Sequence, residues 1–208
     1  MCSLMSFPAC SNTHVEGDVH TFDMTQYRKP LYPVNNILVN RWSPYRLVAK
    51  PVSKDMLMSL FEAARFAPSS YNEQPWRFIY ALRDTAAWNT LLGLLVPQNQ
   101  AWAQNASALV VIVSKNSFTH NNTPNRVHSF DSGAAWQNIA LQASTMGLAA
   151  HGIGGFDYEK AHSVLHVPVD YTVEAMIAIG WSAHDGSETP SDRKTIDTFV
   201  FEGSFKNS

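Results

Sequence analysis

One segment of this sequence has helical spacing and is apolar on almost every face. It runs from Asp131 to Met146, and its apolar members are Ala134, Ala135, Trp136, Ile139, Ala140, Leu141, Ala143 and Met146. A helix on a protein surface carries a single apolar stripe, whereas a helix that is apolar all round is buried. Gly147 follows at the place where glycine commonly ends a helix. The segment therefore predicts a helix that is buried on most of its faces.

The chain is poor in charged residues. Of its 208 residues 15% are charged, against about a quarter in an average soluble domain. A formal net charge of −2 excludes disorder driven by high net charge and argues against a strongly basic nucleic-acid-binding protein. Either the monomer is unusually poor in water-facing groups, or part of its surface faces another chain.

The cysteines and the N-terminus favour a soluble cytoplasmic protein. Cys2 and Cys10 both lie in the N-terminal stretch, so they build no disulfide framework and no CxxC site. The first ten residues lack the basic and apolar regions of a signal peptide. No apolar run approaches the roughly 20 residues of a membrane helix. We therefore expect no membrane association.

Periodic segments alternate along the chain and predict a mixed fold. Ser53 is a helix N-cap candidate, and the helical spacing that follows reaches Ala64 before Pro68 ends it. The other predicted elements are strands over Trp76–Leu82, Ala108–Ser114, Leu148–Ile153, Glu174–Trp181 and Thr198–Phe201, and helices over Asp84–Val96, Asp131–Met146 and Tyr158–Leu165. The connections are too irregular for an all-parallel sheet, which favours the α+β class.

Two regions carry no periodic pattern. Residues 1–36 end in a stretch with two prolines and are predicted to form an irregular N-terminal extension. Residues 115–130 are rich in Asn, Ser, Thr and His and predict a loop or a lid. No linker or internal repeat follows the extension, so residues 37–208 are predicted to form one domain.

A glycine-rich turn, GIGGFD over residues 152–157, follows a predicted strand and precedes a predicted helix. A dinucleotide-binding fingerprint has glycine at the sixth position, where this sequence has Asp157. The turn either lets the backbone approach a planar ligand or is an ordinary strand-to-helix turn with Asp157 as N-cap, and the motif alone favours the second. His151, at the end of the strand, is either a site residue or a packed histidine.

Metal and nucleophile motifs are weak. His162 and His166 are four residues apart on a predicted helix, but they lack the glutamate of a metalloprotease motif and an evident third ligand. Ser69 and Ser70 have no surrounding nucleophile elbow. We expect no metal site and no catalytic nucleophile.

Two polar segments fit a ligand better. Arg41, Ser43 and Arg46 place two guanidinium groups and a hydroxyl within six residues, and arginine binds phosphate in a bidentate fashion. The loop APSSYNEQPW, residues 67–76, holds hydroxyls and two carboxamides between two prolines. Such neutral groups match the mixed donors and acceptors of a heterocycle edge. A solvated turn is the alternative for any generic loop of this kind.

These segments together resemble the flavin-dependent nitroreductase family. The resemblance is carried by RWSP (41–44), EAARFAPSSYNEQPWRFI (62–79), GAAWQNIALQASTMGLAAHGIGGFD (133–157) and IAIGW (177–181). It covers roughly residues 37–203 in the family's order and spacing. The block PSSxNxQPW is highly specific, and the glycine turn and IAIGW add to it.

The resemblance implies a three-layer α/β/α fold with a central, mostly antiparallel sheet. It also implies a homodimer with two FMN molecules at the subunit interface. The residues implied to bind FMN are Arg41, Trp42, Ser43, Tyr45, Pro68, Ser69, Ser70, Asn72, Gln74, Asn99, Ile153, Gly154, Gly155 and Arg193. The loop residues 68–74 would reach the flavin from the other subunit, and Asn99 and the glycine turn would lie at its ring.

The sequence departs from the family at three expected basic positions. Tyr45, Trp102 and Ser191 stand where the family frequently has lysine or arginine. Fewer cations near the flavin would weaken stabilisation of the anionic reduced ring. These departures bear on the cofactor's potential and affinity.

The activity implied is the reduction of nitroaromatics, quinones or similar acceptors by NAD(P)H in a ping-pong hydride mechanism. The cofactor carries the chemistry, so no catalytic side chain is expected. The alternatives are a flavin-binding or sensing protein of the same fold with little turnover, and a specialised relative that destroys flavin or dehalogenates its substrate.

Overall fold

The computed structural model describes residues 23–183 and 185–205. Within these ranges there are six α-helices and five β-strands. In chain order they are α1 (Asn36–Asn40), β1 (Leu47–Val48), α2 (Lys54–Arg65), β2 (Trp76–Leu82), α3 (Trp88–Leu92), α4 (Pro97–Ala103), β3 (Ala108–Lys115), α5 (His128–Thr145), β4 (Leu148–Ile153), α6 (Tyr158–Val164) and β5 (Tyr171–Ser182). Most of the expected N-terminal extension, including both cysteines, lies outside the described residues.

The five strands form one sheet in which every pairing is antiparallel. Strand β5 pairs with β1, β3 and β4, and β2 pairs with β3. Each strand of the central pair places alternate residues on opposite faces of the sheet. The predicted α+β class with an antiparallel sheet is confirmed.

Helices cover both faces of the sheet. On one face, α2 and α5 pack with Val110 and Ile112 of β3. On the other face, α3, α4 and α6 pack with Leu109 and Val111 of the same strand. Strand β3 is buried on both faces along almost its whole length, which explains its continuous apolar sequence. The predicted three-layer arrangement is therefore confirmed.

Helix α5 lies against the sheet, as its apolar sequence predicts, but it is not buried all round. It begins at His128, before the predicted start, and it buries Ala135, Ile139 and Ala143. Its other side remains exposed at Ser129, Phe130, Gly133, Gln137 and Thr145. The expectation of burial on most faces is thus met only in part by the single chain, because one face of α5 has no covering element among the described residues.

Several predicted helix ends coincide with observed caps. The Ser53 side chain accepts a hydrogen bond from the Met56 amide at 3.1 Å, which caps α2. Asp157 accepts one from the Lys160 amide at 2.9 Å and caps α6. Gly147 follows α5 with a φ of 71°. Ser53 and Asp157 supply acceptors for unpaired amides at the start of a helix, and Gly147 adopts the left-handed conformation that ends one.

Two predicted elements are wrong. The helix over Asp84–Val96 is reduced to α3, and a separate helix, α4, begins at Pro97. Proline favours the first position of a helix because its φ is already helical and it needs no hydrogen-bond acceptor. The final strand over Thr198–Phe201 is instead a 3₁₀ turn over Ile196–Thr198. The amides of Thr198 and Phe199 bond three residues back along the chain, and that of Val200 bonds four residues back, rather than to the sheet.

None of the helices in the described ranges has the length and apolar character that crossing a membrane requires. The same ranges contain no cluster of three or more His, Cys, Asp or Glu side chains arranged to hold a metal ion.

Candidate functional site

Three guanidinium groups face one small cavity. Arg28 comes from the segment before α1, Arg41 directly follows α1, and Arg193 comes from the C-terminal segment. The same cavity is lined by the predicted residues Trp42, Ser43 and Tyr45, together with Glu188, Thr189 and Ser191. The structure therefore brings Arg193 to the RWSP segment, although about 150 residues separate them in the chain.

Backbone carbonyls and a hydroxyl hold this arginine cavity in place. Arg28 donates from Nη1 to the carbonyl oxygens of Val39 and Arg41, at 2.9 and 2.8 Å. Arg41 donates from Nη1 to Ser43 Oγ at 3.2 Å. Ser43 Oγ in turn donates to the carbonyl of Ala150 on β4 at 3.4 Å. These bonds fix the RWSP segment to Arg28 of the N-terminal extension and to the sheet.

The cavity carries more positive than negative charge. Burial, with the neighbouring charge of Arg193, lowers the pKa of Arg41. Burial and the charges of Arg193 and Arg41 lower the pKa of Arg28. Among the described residues, the one carboxylate that lines the cavity is Glu188, which accepts hydrogen bonds from the Tyr45 and Arg46 amides. Nε of Arg28 is buried and has no hydrogen-bond partner among the described residues. Like charges gathered in this way favour binding of an anion.

The glycine turn is fixed by Asn99 of α4. Asn99 donates from Nδ2 to the carbonyl of Gly155 at 2.9 Å, and the Val96 amide donates to the same carbonyl at 3.1 Å. Oδ1 of Asn99 accepts a hydrogen bond from Trp102 Nε1 at 3.2 Å. Both ends of the Asn99 carboxamide are therefore used within the chain. The sequence prediction that Asn99 contacts a flavin ring stays a prediction.

An aromatic cluster of Tyr45, Trp102 and His151 lies between the arginine cavity and the glycine turn. The Tyr45 ring centroid is 5.2 Å from that of Trp102 and 4.5 Å from that of His151, and those of Trp102 and His151 are 4.7 Å apart. Nδ1 of His151 is 3.0 Å from the carbonyl of Pro44. Burial lowers the pKa of His151, because the charged ring would lose its hydration. Positions 45 and 102, at which the resemblance implies a basic residue, thus carry aromatic rings that lie against His151.

The loop residues of the APSSYNEQPW segment form a 3₁₀ turn over Ser70–Asn72. Ser69 Oγ accepts a hydrogen bond from the Gln74 amide at 3.0 Å. The Ser70 amide donates to the buried carboxylate of Asp131 at 3.0 Å, which ties the loop to the first turn of α5. Gln74 Nε2 donates to the carbonyl of Asn72. The side chains of Ser69 and Gln74 thus bond to backbone groups of the loop itself.

This loop has an unusual backbone. Tyr71, Asn72 and Gln74 have φ values of 52°, 54° and 51°, in the left-handed region that favours glycine. Such conformations cost about 1–3 kcal/mol each, and they persist mainly at functional sites where surrounding bonds impose them. The hydrogen bonds of Ser69, Ser70 and Gln74 hold the loop in this backbone conformation.

The structure does not bring all of the predicted FMN-binding residues to one place within a single chain. Arg41, Trp42, Ser43, Tyr45 and Arg193 share the arginine cavity. Asn99 is joined to Gly155, and Ile153 and Gly154 precede it in the same turn. Pro68, Ser69, Ser70, Asn72 and Gln74 belong to the loop, and within the described residues none of the five lines the arginine cavity.

Sequence reasoning missed four residues of the site, and one of them, Thr189, lines the arginine cavity from the irregular segment after β5. Arg28 lies in the arm that shows no periodicity, so no spacing links it to Arg41. Glu188 lies in an irregular segment, and only its bonds to the Tyr45 and Arg46 amides connect it to the site. Asp131 was read as a helix residue, although an acid buried in the first turn of an apolar helix signals a specific partner.

Comparisons with known proteins identify the family of the chain. The nitroreductase family model matches residues 38–94 and 81–181. An NADH dehydrogenase from Thermus thermophilus is 26% identical over 202 residues, covering 82% of this chain and 96% of that protein. Protein DrgA from Synechocystis is 29% identical over 170 residues, covering 68% of this chain and 77% of that protein.

Solved structures show the same fold. An oxidoreductase described as containing FMN has a TM-score of 0.82 and 37% identity, covering 87% of this chain and 97% of that one. A nitroreductase-like protein from Desulfovibrio desulfuricans, solved in complex with FMN, has a TM-score of 0.68 and 25% identity. The match covers 85% of this chain and 100% of that one. With a family match over most of its length and a structural relative of this similarity, the chain belongs to the nitroreductase family.

Proposed function

We propose that this chain is an FMN-dependent oxidoreductase that takes electrons from NAD(P)H and passes them to nitroaromatics, quinones or similar acceptors. The observation that carries the proposal is the arginine cavity. Arg28, Arg41 and Arg193 are gathered around it. Glu188, the one lining carboxylate in the described part of the chain, bonds to backbone amides.

The cavity fits the phosphate group of FMN. A dianionic phosphate pairs with several guanidinium groups at once, and each such charge-assisted bond is stronger than a neutral one. The buried Nε of Arg28, which has no partner in the described part of the chain, is a donor available to such a group. Burial, with the charges of the neighbouring guanidinium groups, lowers the pKa of Arg41 and Arg28, and an anion there would offset both effects.

The glycine turn fits a planar ring. A Cβ atom on Gly154 would have Tyr158 Oη at 3.8 Å as its nearest neighbour. The side of the Gly154 backbone on which a side chain would stand is therefore open enough for a flat ligand to approach. Asn99 and Val96 hold the Gly155 carbonyl and so fix the orientation of the turn. When bound, FMN supplies the hydride chemistry. The chain's residues orient it and hold the turn in place.

We also infer that two copies of the chain form the functional unit. The loop residues and the arginine cavity are separate in one chain, yet both carry groups suited to one ligand. Helix α5 leaves a face open at Gly133 and Gln137, next to the exposed ring of Phe130. The small fraction of charged residues in the chain agrees with a large subunit interface, since obligate interfaces are more hydrophobic than transient ones.

The test is made on the purified full chain. It should be yellow and release FMN on heating, and it should oxidise NADH or NADPH when menadione or a nitrofuran is present. Colourless protein that takes up no added FMN would contradict the proposal. Protein that binds FMN but gives no turnover would instead support a flavin-binding or sensing role, which the neutral Tyr45 and Trp102 favour.

A further inference from the structure

A second, larger cavity adjoins the arginine cavity. Its volume is about 620 Å³, whereas that of the arginine cavity is about 110 Å³. Arg28 and Arg193 line both cavities, so a ligand held by these two side chains can extend from the smaller cavity into the larger one. We call the larger cavity the outer pocket. Its lining also includes Tyr27, Lys29, Val34, Leu38, Asp192 and Phe199.

The segment before α1 forms one part of the outer pocket and is fixed to the rest of the fold. Met24 is fully buried, and its amide donates to Asn40 Oδ1 at 3.1 Å. The Tyr27 and Arg28 amides donate to the Met24 carbonyl at 3.0 and 2.8 Å. Most of the lining residues lie outside residues 38–181, which the family model matches. The outer pocket is therefore built mainly by the two ends of the described chain.

Exposed apolar side chains meet at the outer pocket. Tyr27 and Phe199 are 46% and 61% exposed, and Val34 and Leu38 are about half exposed. The Phe199 amide donates to the Ile196 carbonyl at 3.2 Å, which holds its backbone in a turn. Contiguous apolar patches on a protein surface mark binding sites, and aromatic side chains stack on nucleic-acid bases of any sequence. The outer pocket thus offers a surface for a planar base.

The charges of the outer pocket fit a nucleotide better than a simple anion. Lys29 is exposed and forms no ion pair within the described ranges, so with Arg28 and Arg193 it supplies a third cation. Asp192 is the one carboxylate that lines the pocket in the described part of the chain. Cations pair with phosphate, and an acidic side chain accepts hydrogen bonds from ribose hydroxyls. An inorganic anion would be repelled by Asp192 and would leave the aromatic rings unused.

We propose that the outer pocket binds the adenylate half of FAD, so that the flavin site takes the dinucleotide as well as FMN. This rests on the proposed function, which assigns the flavin phosphate to the arginine cavity. In FAD that phosphate joins the ribityl chain on one side and the adenylate on the other. The volume of the outer pocket lies within the range of about 300–1,000 Å³ that is typical of ligand sites.

The two cavities lie on different sides of the shared arginines. Trp42, Ser43 and Tyr45 line the arginine cavity, and among the described residues none of the three lines the outer pocket. Tyr45 also belongs to the aromatic cluster that leads to the glycine turn. The ribityl chain and the flavin ring therefore extend towards the glycine turn, and the adenylate extends the opposite way.

The bound adenylate uses each kind of group in the outer pocket. The diphosphate pairs with the two shared arginines and with Lys29. The ribose hydroxyls donate to Asp192, and the adenine stacks on Tyr27 or Phe199. NAD(P)H also contains an adenylate, but only in the flavin dinucleotide is the adenylate attached to the phosphate that the arginine cavity holds.

The experiment titrates the cofactor-free, full-length chain with FAD and with FMN by calorimetry. The original protein should bind FAD roughly fivefold or more tighter than FMN, the gain expected for one stacked base. Tyr27→Ala should weaken FAD binding by a similar factor and leave FMN affinity within about twofold. Tyr32→Ala is the matched control, because Tyr32 lies in the same segment, is 65% exposed and does not line the outer pocket. It should change neither affinity.

A second readout follows cleavage of FAD to FMN and AMP by an added phosphodiesterase. A diphosphate held between the arginines is shielded, so FAD bound to the original protein should be cleaved more slowly than free FAD. Cleavage should be faster in Tyr27→Ala than in the original protein. Phe199→Ala provides an independent variant with the same expected direction in both readouts.

Three results overturn the inference. The first is FAD that binds no tighter than FMN, which is also expected if a second copy of the chain fills the outer pocket. The second is an equal loss of FAD and FMN affinity in Tyr27→Ala. The third is a loss of NADH affinity in FMN-loaded Tyr27→Ala with unchanged FAD affinity, which assigns the adenylate to the nicotinamide dinucleotide.

The outcomes also separate this inference from the proposed function. Protein that binds FMN and oxidises NAD(P)H, but gains nothing from the adenylate of FAD, overturns the inference alone. Protein that binds neither flavin contradicts the proposed function, and the inference falls with it.

Discussion

Asn99 and Gly155 are so close that position 155 has no space for a side chain. A Cβ atom on Gly155 would lie 2.5 Å from Nδ2 of Asn99 and 3.3 Å from a methyl carbon of Val96. The Asn99 carboxamide is held there by its bonds to the Gly155 carbonyl and to Trp102. Glycine at position 155 thus lets α4 approach the turn.

We expect Gly155→Ala to lower the free energy of unfolding by about 1–3 kcal/mol, the range for an overpacked site. Because the main clash is with Asn99, the loss should be smaller when Gly155→Ala is made in an Asn99→Ala background. Urea unfolding of the two single variants and the double variant measures this coupling. Additive losses would show that the clash is relieved in another way.

Arg41→Ala should weaken FMN binding by about 1.5–3 kcal/mol, the range for a hydrogen bond to a charged group. The measurement is a titration of the cofactor-free protein, followed by quenching of flavin fluorescence. Arg46→Ala is the matched control, since Arg46 is exposed and pairs with Asp185 at 2.7 Å. Equal affinity in the original protein and Arg41→Ala would mean that the phosphate is held elsewhere.

Asp131 links the loop to α5, and its removal should release the loop. Asp131→Ala leaves the Ser70 amide without its acceptor and should cost about 1–3 kcal/mol of stability. Asp131→Asn keeps an oxygen acceptor and should cost less. Thermal unfolding at matched concentration compares the two variants. A larger loss in Asp131→Asn than in Asp131→Ala would contradict this account.

His151 should make the protein less stable in mild acid. Its pKa is lowered in the folded chain, chiefly by burial, so the unfolded chain binds the proton more readily. The stability associated with the neutral ring is complete above the unfolded pKa of about 6.5 and is lost as the pH falls towards the folded value. The unfolding free energy of the original protein should therefore fall more steeply between pH 7.5 and 5.5 than that of His151→Phe. Parallel curves would show that other groups dominate.

The exposed face of α5 predicts a dimer of about twice 23 kDa that persists on dilution, as obligate interfaces do. Light scattering over a concentration series measures the mass. Gln137→Arg, which places a charge on this face, should shift the mass towards the monomer and weaken FMN binding at the same time. A stable monomer that binds FMN as tightly as the proposal requires would contradict the composite site.

Much of the fold follows from local sequence. Strands β2 and β4 have the predicted bounds, and Ser53 and Asp157 cap their helices as expected. These elements carry strong signals, because apolar runs and N-cap residues act over a few positions. The helix predicted over Asp84–Val96 is shorter in the structure, because the chain turns at Asp84 with a φ of 63° and only Trp88–Leu92 is helical, and the next helix starts at Pro97.

The candidate site likewise has parts that local sequence predicts and parts that it does not. The segments RWSP, APSSYNEQPW and GIGGFD were identifiable from sequence, since each concentrates its polar groups or glycines within a few residues. The tertiary structure alone placed Arg28 beside Arg41 and Arg193 and joined Asn99 to Gly155. Local sequence determines which residues can cap a helix, form a turn or be buried. Contacts between residues far apart in the chain depend on how the sheet and its helices pack, and no local pattern records them.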